Sequence, residues 1–438
     1  MNKKRSAFSG KIGYVLSAAG ASVGLGNIWR FPYLAAKYGG GIFLLVYIIL
    51  ALTFGYTMIV AESALGRMTR KSPVGAFRSF AKGKKVGWLS FGGWINAIIP
   101  VLIVPYYSVI GGWVVKYLFE YIRGNGSKLA EDGYFSGFIS NGGATEICFV
   151  IFCMFTLVII YAGVQNGIER VSKIMMPILI VLSVIIAIYS VTRPGAIEGV
   201  KYFLVPNVKN FSWMTVVAAM GQMFYSLSIA MGILVTFGSY MRKDTSIEDS
   251  TRNVEIFDTA IAMMAGLMII PAVFAFSGGD PDTLQAGPSL MFITIPKVFA
   301  NMGFGTAVGI LFFVLVLFAA VTSSIALTES AVSTFEDELG WGRKKATVLT
   351  GVIMIALGTL SCLGYGPLDF VKIIGMQFLD FFDFLTNSVM MPIAALMTSL
   401  LVSRVIGVDK IEEEIRHGES AFRRKKIFVV MIKYVCPI

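Results

Sequence analysis

The stretch from Gly20 to Pro32 places three glycines, an asparagine and an arginine inside an apolar segment near the N-terminus. Polar side chains and non-helical backbone are tolerated at membrane depth only where they are buried in protein or line a cavity. Asn27 and Arg30 therefore predict a helix that breaks inside the membrane and offers free backbone groups to a ligand. Close helix packing through Gly20 and Gly24 is the structural alternative, but it leaves Asn27 and Arg30 unexplained.

The composition places the chain among polytopic membrane proteins. Hydrophobic residues make up 56% of its 438 residues, and a soluble core cannot hide so much apolar surface. The apolar segments predict an all-α polytopic membrane protein with ten spans and a short eleventh, folded as a single transmembrane domain over residues 1–438. The predicted spans lie near residues 11–36, 41–69, 88–122, 146–163, 170–192, 213–240, 254–277, 304–338, 344–363 and 376–406, and the short eleventh lies at 427–438.

The basic residues indicate how the chain is oriented in the membrane. They gather in alternate loops, at residues 3–5, 67–85, 242–243, 343–345 and 423–426, and basic loops stay on the cytoplasmic side. We therefore expect a cytoplasmic N-terminus. This topology also accounts for the net charge of +11, so we expect the lipid bilayer as a partner and no nucleic acid.

Two apolar segments carry related interruptions. The first contains Ser22-Val-Gly-Leu-Gly-Asn, and the sixth contains Ser228-Ile-Ala-Met-Gly-Ile. Each repeat has five spans, and an odd number of spans places its two ends on opposite sides of the membrane. We therefore expect the halves 11–192 and 213–406 to have opposite orientations in the membrane. Residues 407–438 are left as a cytoplasmic loop and a short last span. Broken helices at matching positions of inverted repeats indicate a substrate site near the middle of the membrane.

The polar residues inside the spans are mostly oxygen donors, which suit a hard cation such as sodium. They include Asn27, Ser226, Asp258, Thr322 and Ser323. A bound cation would be the natural partner of Asp258 within lipid. For each group an alternative to cation binding stays open from the residues alone. The hydroxyls of Thr322-Ser-Ser could bond back to their own helix. Asp258 could lie near a helix end, where water solvates it.

Enzyme classes find little support in the sequence. The one histidine, His417, lies in a charged loop, and the four cysteines have neither metal-ligand spacing nor a disulfide pattern. We therefore expect that this chain is not an enzyme. A membrane amino-acid sensor, which keeps a binding site but signals, is the alternative from another class, although no soluble stretch is long enough to form a signalling domain.

At the interrupted first segment and at the oxygen-bearing residues described above, the chain resembles the neurotransmitter:sodium symporter family. Within that family it is most similar to the bacterial amino-acid transporters, in particular the tyrosine transporters. The similarity runs from about Arg5 to the end of the chain. The motifs that carry it are Gly20 to Pro32, Gly39-Gly-Gly-Ile-Phe with Tyr47, Glu62 with Gly66-Arg67, Tyr106-Tyr107, Gln222 to Ser228, Thr322-Ser-Ser and Glu336-Asp-Glu-Leu. The resemblance implies the inverted five-plus-five fold with broken helices 1 and 6, and a location in the plasma membrane of a bacterium.

Carried over by position, the resemblance implies a substrate site, two sodium sites and two gates. The first sodium site would use Ser22, Asn27, Ser226 and Asp258 with the substrate carboxylate, and the second would use Gly20, Val23, Ala319, Thr322 and Ser323. The substrate would contact Ala21, Ser22, Leu25, Gly26, Ile103, Tyr107, Tyr225, Ser228, Met231, Ser323 and Leu327. Arg30 and Asp383 would form an outer gate, and Arg5 and Asp337 an inner gate.

The function that the resemblance implies is sodium-coupled import of an amino acid by alternating access. Ala21 and Ser228 are small and Met231 is slender and adaptable. Together with the resemblance to tyrosine transporters, they favour an aromatic substrate, above all tyrosine. Ile103 and Leu327 would suit an aliphatic substrate equally well, so that alternative stays open.

Two further expectations concern the transport cycle. Many members of the family have asparagine where this chain has Asp258, and others need chloride to balance the charge, so we expect a chloride-independent protein in which Asp258 supplies that charge. Gly167 and Pro177 are separated by nine residues in the fifth span. Because both residues weaken a helix, the resemblance implies that this part of the span unwinds to release sodium. The oligomeric state is left open.

Overall fold

The computed structural model describes residues 6–81, 86–278 and 287–437, and within these ranges the regular elements are helices without β-strands. Among these described residues, eight helices are long and apolar enough to cross a membrane, which confirms the prediction of an all-α polytopic protein. They are Gly41–Thr69, Gly87–Ile122, Gly142–Tyr161, Val164–Val191, Ile247–Ser277, Gly305–Glu338, Arg343–Leu363 and Phe378–Ile406.

The first predicted span is interrupted where the glycine-rich stretch lies. Helix Lys11–Ser22 ends at Val23, whose φ of −77° and ψ of 95° are extended. Helical geometry resumes through the π-helical turn Gly26–Arg30 and helix Phe31–Lys37. Position 26 requires glycine, because a Cβ atom there would lie 2.5 Å from Cδ1 of Tyr225. The interruption therefore approaches the sixth predicted span closely.

The sixth predicted span is interrupted between helices Trp213–Ser226 and Ile233–Tyr240. Ser228 and Ala230 have φ of 54° and 60° there, in the left-handed region that residues with a Cβ atom rarely adopt. The Glu62 carboxylate accepts a hydrogen bond of 2.9 Å from the Ala230 N–H. A buried N–H without a partner is costly, so Glu62 supports the non-helical backbone.

Two spans begin several residues before the positions predicted from hydropathy. The fifth span begins at Val164 rather than at 170, because Gly163, with φ of 95°, turns the chain sharply after the preceding helix. The seventh span begins at Ile247 rather than at 254, because Ser246 caps the helix by accepting a 3.0 Å bond from the Asp249 N–H. Hydropathy located the apolar part of each helix and missed its polar start.

Shorter helices connect and flank the long ones. Those outside the interrupted spans are Pro73–Ala81, Gly126–Leu129, Tyr134–Ser140, Ala196–Leu204, Leu290–Ala300, Val408–Arg416 and Lys425–Val430, the last continued by the π-helical turn Met431–Val435. The span count of eleven, the inverted relation between 11–192 and 213–406, and the single domain stay predictions.

Glycines bring the helices that support the interrupted spans into close contact. Gly111 and Gly112 face Phe152 and Phe149, and Cβ atoms at the two glycines would lie 2.6 Å from Cε2 of Phe152 and from the backbone nitrogen of Phe149. Helix Gly305–Glu338 packs along the other side of the glycine-bearing helix. These closely packed helices form a rigid support for the two interruptions.

Candidate substrate and sodium sites

A cavity lies between the two interrupted spans, and about 20 Å³ of it is accessible to the centre of a water-sized sphere. In this state its side chains leave room for little more than one water molecule. The structure brings together around the cavity every residue that the sequence assigned to the substrate: Ala21, Ser22, Leu25, Gly26, Ile103, Tyr107, Tyr225, Ser228, Met231, Ser323 and Leu327. Gly24, Asn27, Ser226 and Ile233 complete the lining. That these residues bind a substrate stays a prediction.

One end of the cavity is polar. The Leu25 N–H donates a 3.2 Å bond to the Tyr107 hydroxyl, and the Gln222 side chain donates to the Gly26 carbonyl at 2.9 Å. Gly26 is also the first residue of the π-helical turn at which helical geometry resumes. N–H groups at the start of a helix favour an anion, so this end of the cavity can accept a carboxylate.

The other end of the cavity is apolar and closed. Ile103, Met231 and Leu327 expose only 1%, 3% and 4% of their surfaces. Tyr225 also lines the cavity, and the Arg30 guanidinium carbon lies 5.2 Å from the centre of the Tyr225 ring, within cation–π range. The cavity as a whole therefore suits a molecule with a charged end and an apolar end.

Four polar side chains from separate segments meet beside the polar end. Asp258 Oδ1 accepts bonds from Asn27 Nδ2 at 2.8 Å and from Ser226 Oγ at 2.7 Å, and Oδ2 accepts a 2.6 Å bond from the Tyr47 hydroxyl. Asp258 is fully buried, so the alternative of a solvated carboxylate near a helix end is wrong. The cluster offers a negative charge and several oxygen atoms, which is the donor set that sodium prefers. Ser22 lines the same cavity.

A second group of oxygen atoms lies at the first interruption. The Ser323 hydroxyl is within 3.3 Å of three backbone carbonyl oxygens, those of Gly20, Ala21 and Val23. The single hydroxyl hydrogen of Ser323 cannot bond to three carbonyls at once. These four oxygen atoms, the Ser323 cradle, therefore include acceptors that are available to a cation. The Thr322 hydroxyl lies 3.1 Å from the Ala319 carbonyl, and its bond of 2.9 Å to Phe318 O shows that it also bonds back to its own helix.

The two residues assigned to the outer gate are held by different partners. Among the described residues, Arg30 and Asp383 form no ion pair with each other. Asp383 instead accepts bonds from the Tyr106 hydroxyl at 3.2 Å and from Asn387 Nδ2 at 2.6 Å. Arg30, Tyr225 and Asn387 line one shared crevice. The gate assignment therefore stays a prediction.

The inner gate is only partly visible, because Arg5 lies outside the described residues. Its predicted partner, Asp337, accepts a 2.6 Å bond from the Ser72 N–H. The described start of the chain is fastened to the fifth span instead: the Ser9 N–H donates to Glu169 at 2.9 Å, and the Ser9 hydroxyl donates to the same carboxylate. These bonds hold the segment that precedes the first helix against the helix that carries Pro177.

Sequence reasoning assigned no role to several buried polar residues near the site. Tyr47 and Glu62 were only motif positions, yet Tyr47 binds Asp258 and Glu62 supports the second interruption. Glu329 accepts bonds from Arg343 Nη1 at 3.0 Å, Arg343 Nη2 at 2.5 Å and the Tyr240 hydroxyl at 2.7 Å. An ionisable side chain inside an apolar segment indicates a structural or functional role, and this pattern could have identified Glu62 and Glu329. The residues that they bond to could not be predicted from the sequence.

The chain is similar to known sodium-dependent transporters along almost its whole length. It matches the Sodium:neurotransmitter symporter family over residues 5–127 and 134–438. It is 36% identical to YhdH, an uncharacterized sodium-dependent transporter of Bacillus subtilis, over 98% of this chain and 95% of that protein. An uncharacterized sodium-dependent transporter of Haemophilus influenzae is 32% identical, over 100% of this chain and 97% of its own length.

More distant relatives and a solved structure extend the similarity. The human sodium- and chloride-dependent GABA transporter 2 is 26% identical over 94% of this chain and 75% of its own length. The crystal structure of MhsT in complex with L-phenylalanine has a TM-score of 0.89 and 36% identity, and the match covers 99% of this chain and 98% of MhsT. The family match and the two bacterial relatives define a sodium-dependent membrane transporter rather than an enzyme: the chain belongs to the sodium:neurotransmitter symporter family.

Proposed function

We propose that this chain imports an aromatic amino acid, with tyrosine preferred, by sodium-coupled alternating access. The observation that carries the proposal is the closed cavity with one polar end and one apolar end between the two interrupted spans. An amino acid has the same division, because its zwitterionic head is charged and its side chain is not. The similarity to MhsT, which was crystallised with L-phenylalanine, supports an aromatic side chain.

Each end of the proposed substrate has groups suited to it. The carboxylate would bind the N–H groups of Leu25 and Gly26 and the Tyr107 hydroxyl, where helix geometry favours an anion. The amine would bind backbone carbonyls freed by the interruptions. The ring would lie against the apolar residues, with Tyr225 covering it, and offset aromatic stacking contributes about 0.5–1.5 kcal/mol.

The two oxygen clusters would bind two sodium ions that are transported with the substrate. The first ion would lie among Asn27, Ser226, Asp258 and the substrate carboxylate, and it would link the substrate directly to sodium. We propose that Asp258 also makes transport independent of chloride, because its carboxylate already balances the cation. Replacing chloride by gluconate in an uptake assay tests this point, and loss of uptake would refute it.

The second ion would join the first interruption to helix Gly305–Glu338 through the Ser323 cradle. Binding there would stabilise one packing of the two elements, and release would permit the other, which is the coupling that alternating access requires. We propose a cytoplasmic N-terminus in the plasma membrane of a bacterium, on the pattern of basic loops. Import then follows from an inward sodium gradient.

Aliphatic amino acids are the rival substrates, since Ile103, Ile233 and Leu327 line the same cavity. An uptake assay in proteoliposomes separates the aromatic from the aliphatic proposal. Uptake of radiolabelled tyrosine is measured with and without sodium, in competition with unlabelled tyrosine, phenylalanine, tryptophan, leucine and alanine. We expect every aromatic amino acid to compete more strongly than leucine, and only with sodium present. Stronger competition by leucine or alanine would refute the aromatic proposal and leave the symporter function intact.

A variant that fills the cavity sharpens the test. Met231→Phe adds a ring to the apolar end, so we expect affinity for tyrosine and phenylalanine to fall relative to affinity for alanine. Val181→Phe is the control, because it adds a ring at a position that is 58% exposed and that lines neither the cavity nor the crevice at Arg30. Equal losses for all substrates in Met231→Phe would indicate general damage rather than a shaped pocket.

The sensor alternative is separated by measuring flux. A sensor with the same site would bind substrate in the presence of sodium but would not accumulate it. We expect radiolabelled tyrosine to accumulate inside proteoliposomes against its gradient when sodium is high outside. Sodium-dependent binding without accumulation, in a preparation that is shown to be oriented and sealed, would support the sensor.

A further inference from the structure

A groove on the outer surface, away from the substrate cavity, lies between helices Gly142–Tyr161 and Arg343–Leu363. Its lining is almost wholly apolar and includes Leu157, Val158, Tyr161, Val348, Gly351 and Val352. Val158, Val348 and Val352 are each about three-fifths exposed, at 62%, 62% and 59%. A Cβ atom at Gly351 would lie 2.9 Å from Leu157 Cδ1, so this glycine lets the two helices approach at the floor of the groove.

Lys344 lies at one end of this groove, and Lys345 follows it in the chain. Lys344 Nζ lies 5.5 Å from the centre of the Tyr161 ring, and Lys345 is exposed beside it. Neither lysine forms an ion pair within the part of the chain that the structure describes. The preceding Arg343, in contrast, is bound to Glu329 at 2.5 Å. The groove therefore ends at Lys344, with Lys345 next to it in the chain, and no carboxylate among the described residues forms an ion pair with either lysine.

We propose that the groove binds one acyl chain of an anionic diacyl phospholipid, with the lipid phosphate between Lys344 and Lys345. Basic groups at the edge of a membrane attract anionic headgroups, and the apolar trough between helices accepts the hydrocarbon. On the orientation proposed above, this site lies in the cytoplasmic leaflet. It is separate from the substrate cavity and does not depend on the identity of the amino acid.

The size of the groove agrees with such an occupant. Its lining extends from Tyr161 back to Met154, seven residues or about 10 Å along a helix. One leaflet of hydrocarbon is about 15 Å thick, so the groove holds most of the depth of one acyl chain. A second copy of this protein is a poorer occupant of the same face, because a two-fold axis through the groove and normal to the membrane would place the lysines of both copies at the same depth, where like charges repel.

Lipid binding is measured on the purified full-length protein in detergent by native mass spectrometry. The probes are phosphatidylglycerol and phosphatidylcholine with identical acyl chains. We expect the unmodified protein to retain more phosphatidylglycerol than phosphatidylcholine. The combined change Lys344→Gln and Lys345→Gln should remove this preference, with each lysine contributing about a fivefold difference in affinity. Lys410→Gln is the matched control, because it removes an exposed cation elsewhere on the chain.

A second variant tests the groove rather than the charges. Val352→Trp fills the trough from an exposed position, so we expect it to lower retention of both lipids, while an unchanged thermal midpoint confirms that the variant is folded. Equal retention of the two lipids by the unmodified protein overturns the proposal. So does a preference that survives the double lysine change, or lipid retention that Val352→Trp leaves unchanged. A lipid-free dimer joined through this face would also overturn it, in favour of a second copy.

Discussion

Replacing Asp258 by asparagine separates the charge of this side chain from its shape. In the structure its two carboxylate oxygens accept three side-chain bonds of 2.6–2.8 Å, from Tyr47, Asn27 and Ser226. The asparagine oxygen can keep the bonds from Asn27 and Ser226, and the Tyr47 hydroxyl can turn to accept from the new amide. The fold should therefore survive while the negative charge is lost.

The magnitude follows from the position of the cation. Two unit charges about 4 Å apart attract by about 4 kcal/mol at an effective dielectric constant of 20, which sets the scale of the loss for a cation beside Asp258. The remaining oxygen ligand offsets part of this loss, so we expect sodium binding to weaken by about 2–4 kcal/mol. That range corresponds to a loss in sodium affinity of about 30- to 1,000-fold.

The assay is equilibrium binding of radiolabelled tyrosine as a function of sodium concentration. The variant should need far more sodium for half-maximal binding, and an added anion such as chloride should recover part of the loss. Tyr47→Phe is the matched control, because it removes one bond to the same carboxylate and keeps its charge. We expect Tyr47→Phe to change sodium affinity much less than Asp258→Asn does.

A sodium dependence that is the same in Asp258→Asn and in the unmodified protein would refute the first sodium site. An equal loss in the two variants would refute the charge argument, because the bonding network rather than the charge would then control affinity. If the variant is unfolded, the inference that asparagine preserves the network is wrong, which a thermal midpoint measured without substrate would show.

Three further changes test other parts of the structure. Thr322→Ala should weaken sodium-dependent binding about tenfold, whereas Thr328→Ala, which removes a hydroxyl bonded to its own helix at 2.7 Å, should not; equal effects would count against the second sodium site. Glu414→Ala leaves the fully buried Arg67 without the carboxylate that lies 2.7 Å from it, and should lower the free energy of unfolding by about 3–5 kcal/mol. Thermal unfolding measures this loss, and a glutamate-to-alanine change at an exposed position is the control. Pro177→Ala restores a backbone hydrogen bond and should slow inward opening, followed by a fluorophore on the fifth span; an unchanged rate would identify an ordinary kink.

The location of the first interruption could be predicted from the sequence because it depends on local chemistry. Gly24, Gly26 and Asn27 are poor residues for a lipid-facing helix, so their presence inside an apolar segment indicated non-helical backbone. The structure interrupts the helix at that place. The long spans were equally predictable, since their length and apolar character are one-dimensional properties.

Other features could not be predicted because they depend on which helices meet. Nothing local to Tyr47 indicates that its hydroxyl reaches Asp258, 211 residues away in the chain. Likewise, Ser228 and Ala230 adopt a left-handed backbone that their own residue types disfavour, and the support comes from Glu62 in a different helix. The starts of the fifth and seventh spans were missed because a turn and a cap, rather than hydropathy, set them.

By itself, the sequence determined that this is a helical membrane protein with an interrupted first span and a set of buried oxygen donors. Those properties follow from the cost of placing polar groups in hydrocarbon, which each segment meets separately. Only the tertiary structure decided that one cavity is lined from both interrupted spans, that Asp258 is buried within a bonding network, and that Arg30 lies over Tyr225 rather than against Asp383. Those arrangements follow from the packing of distant helices, because side-chain partners more than 200 residues apart are fixed by the shape of the assembled core.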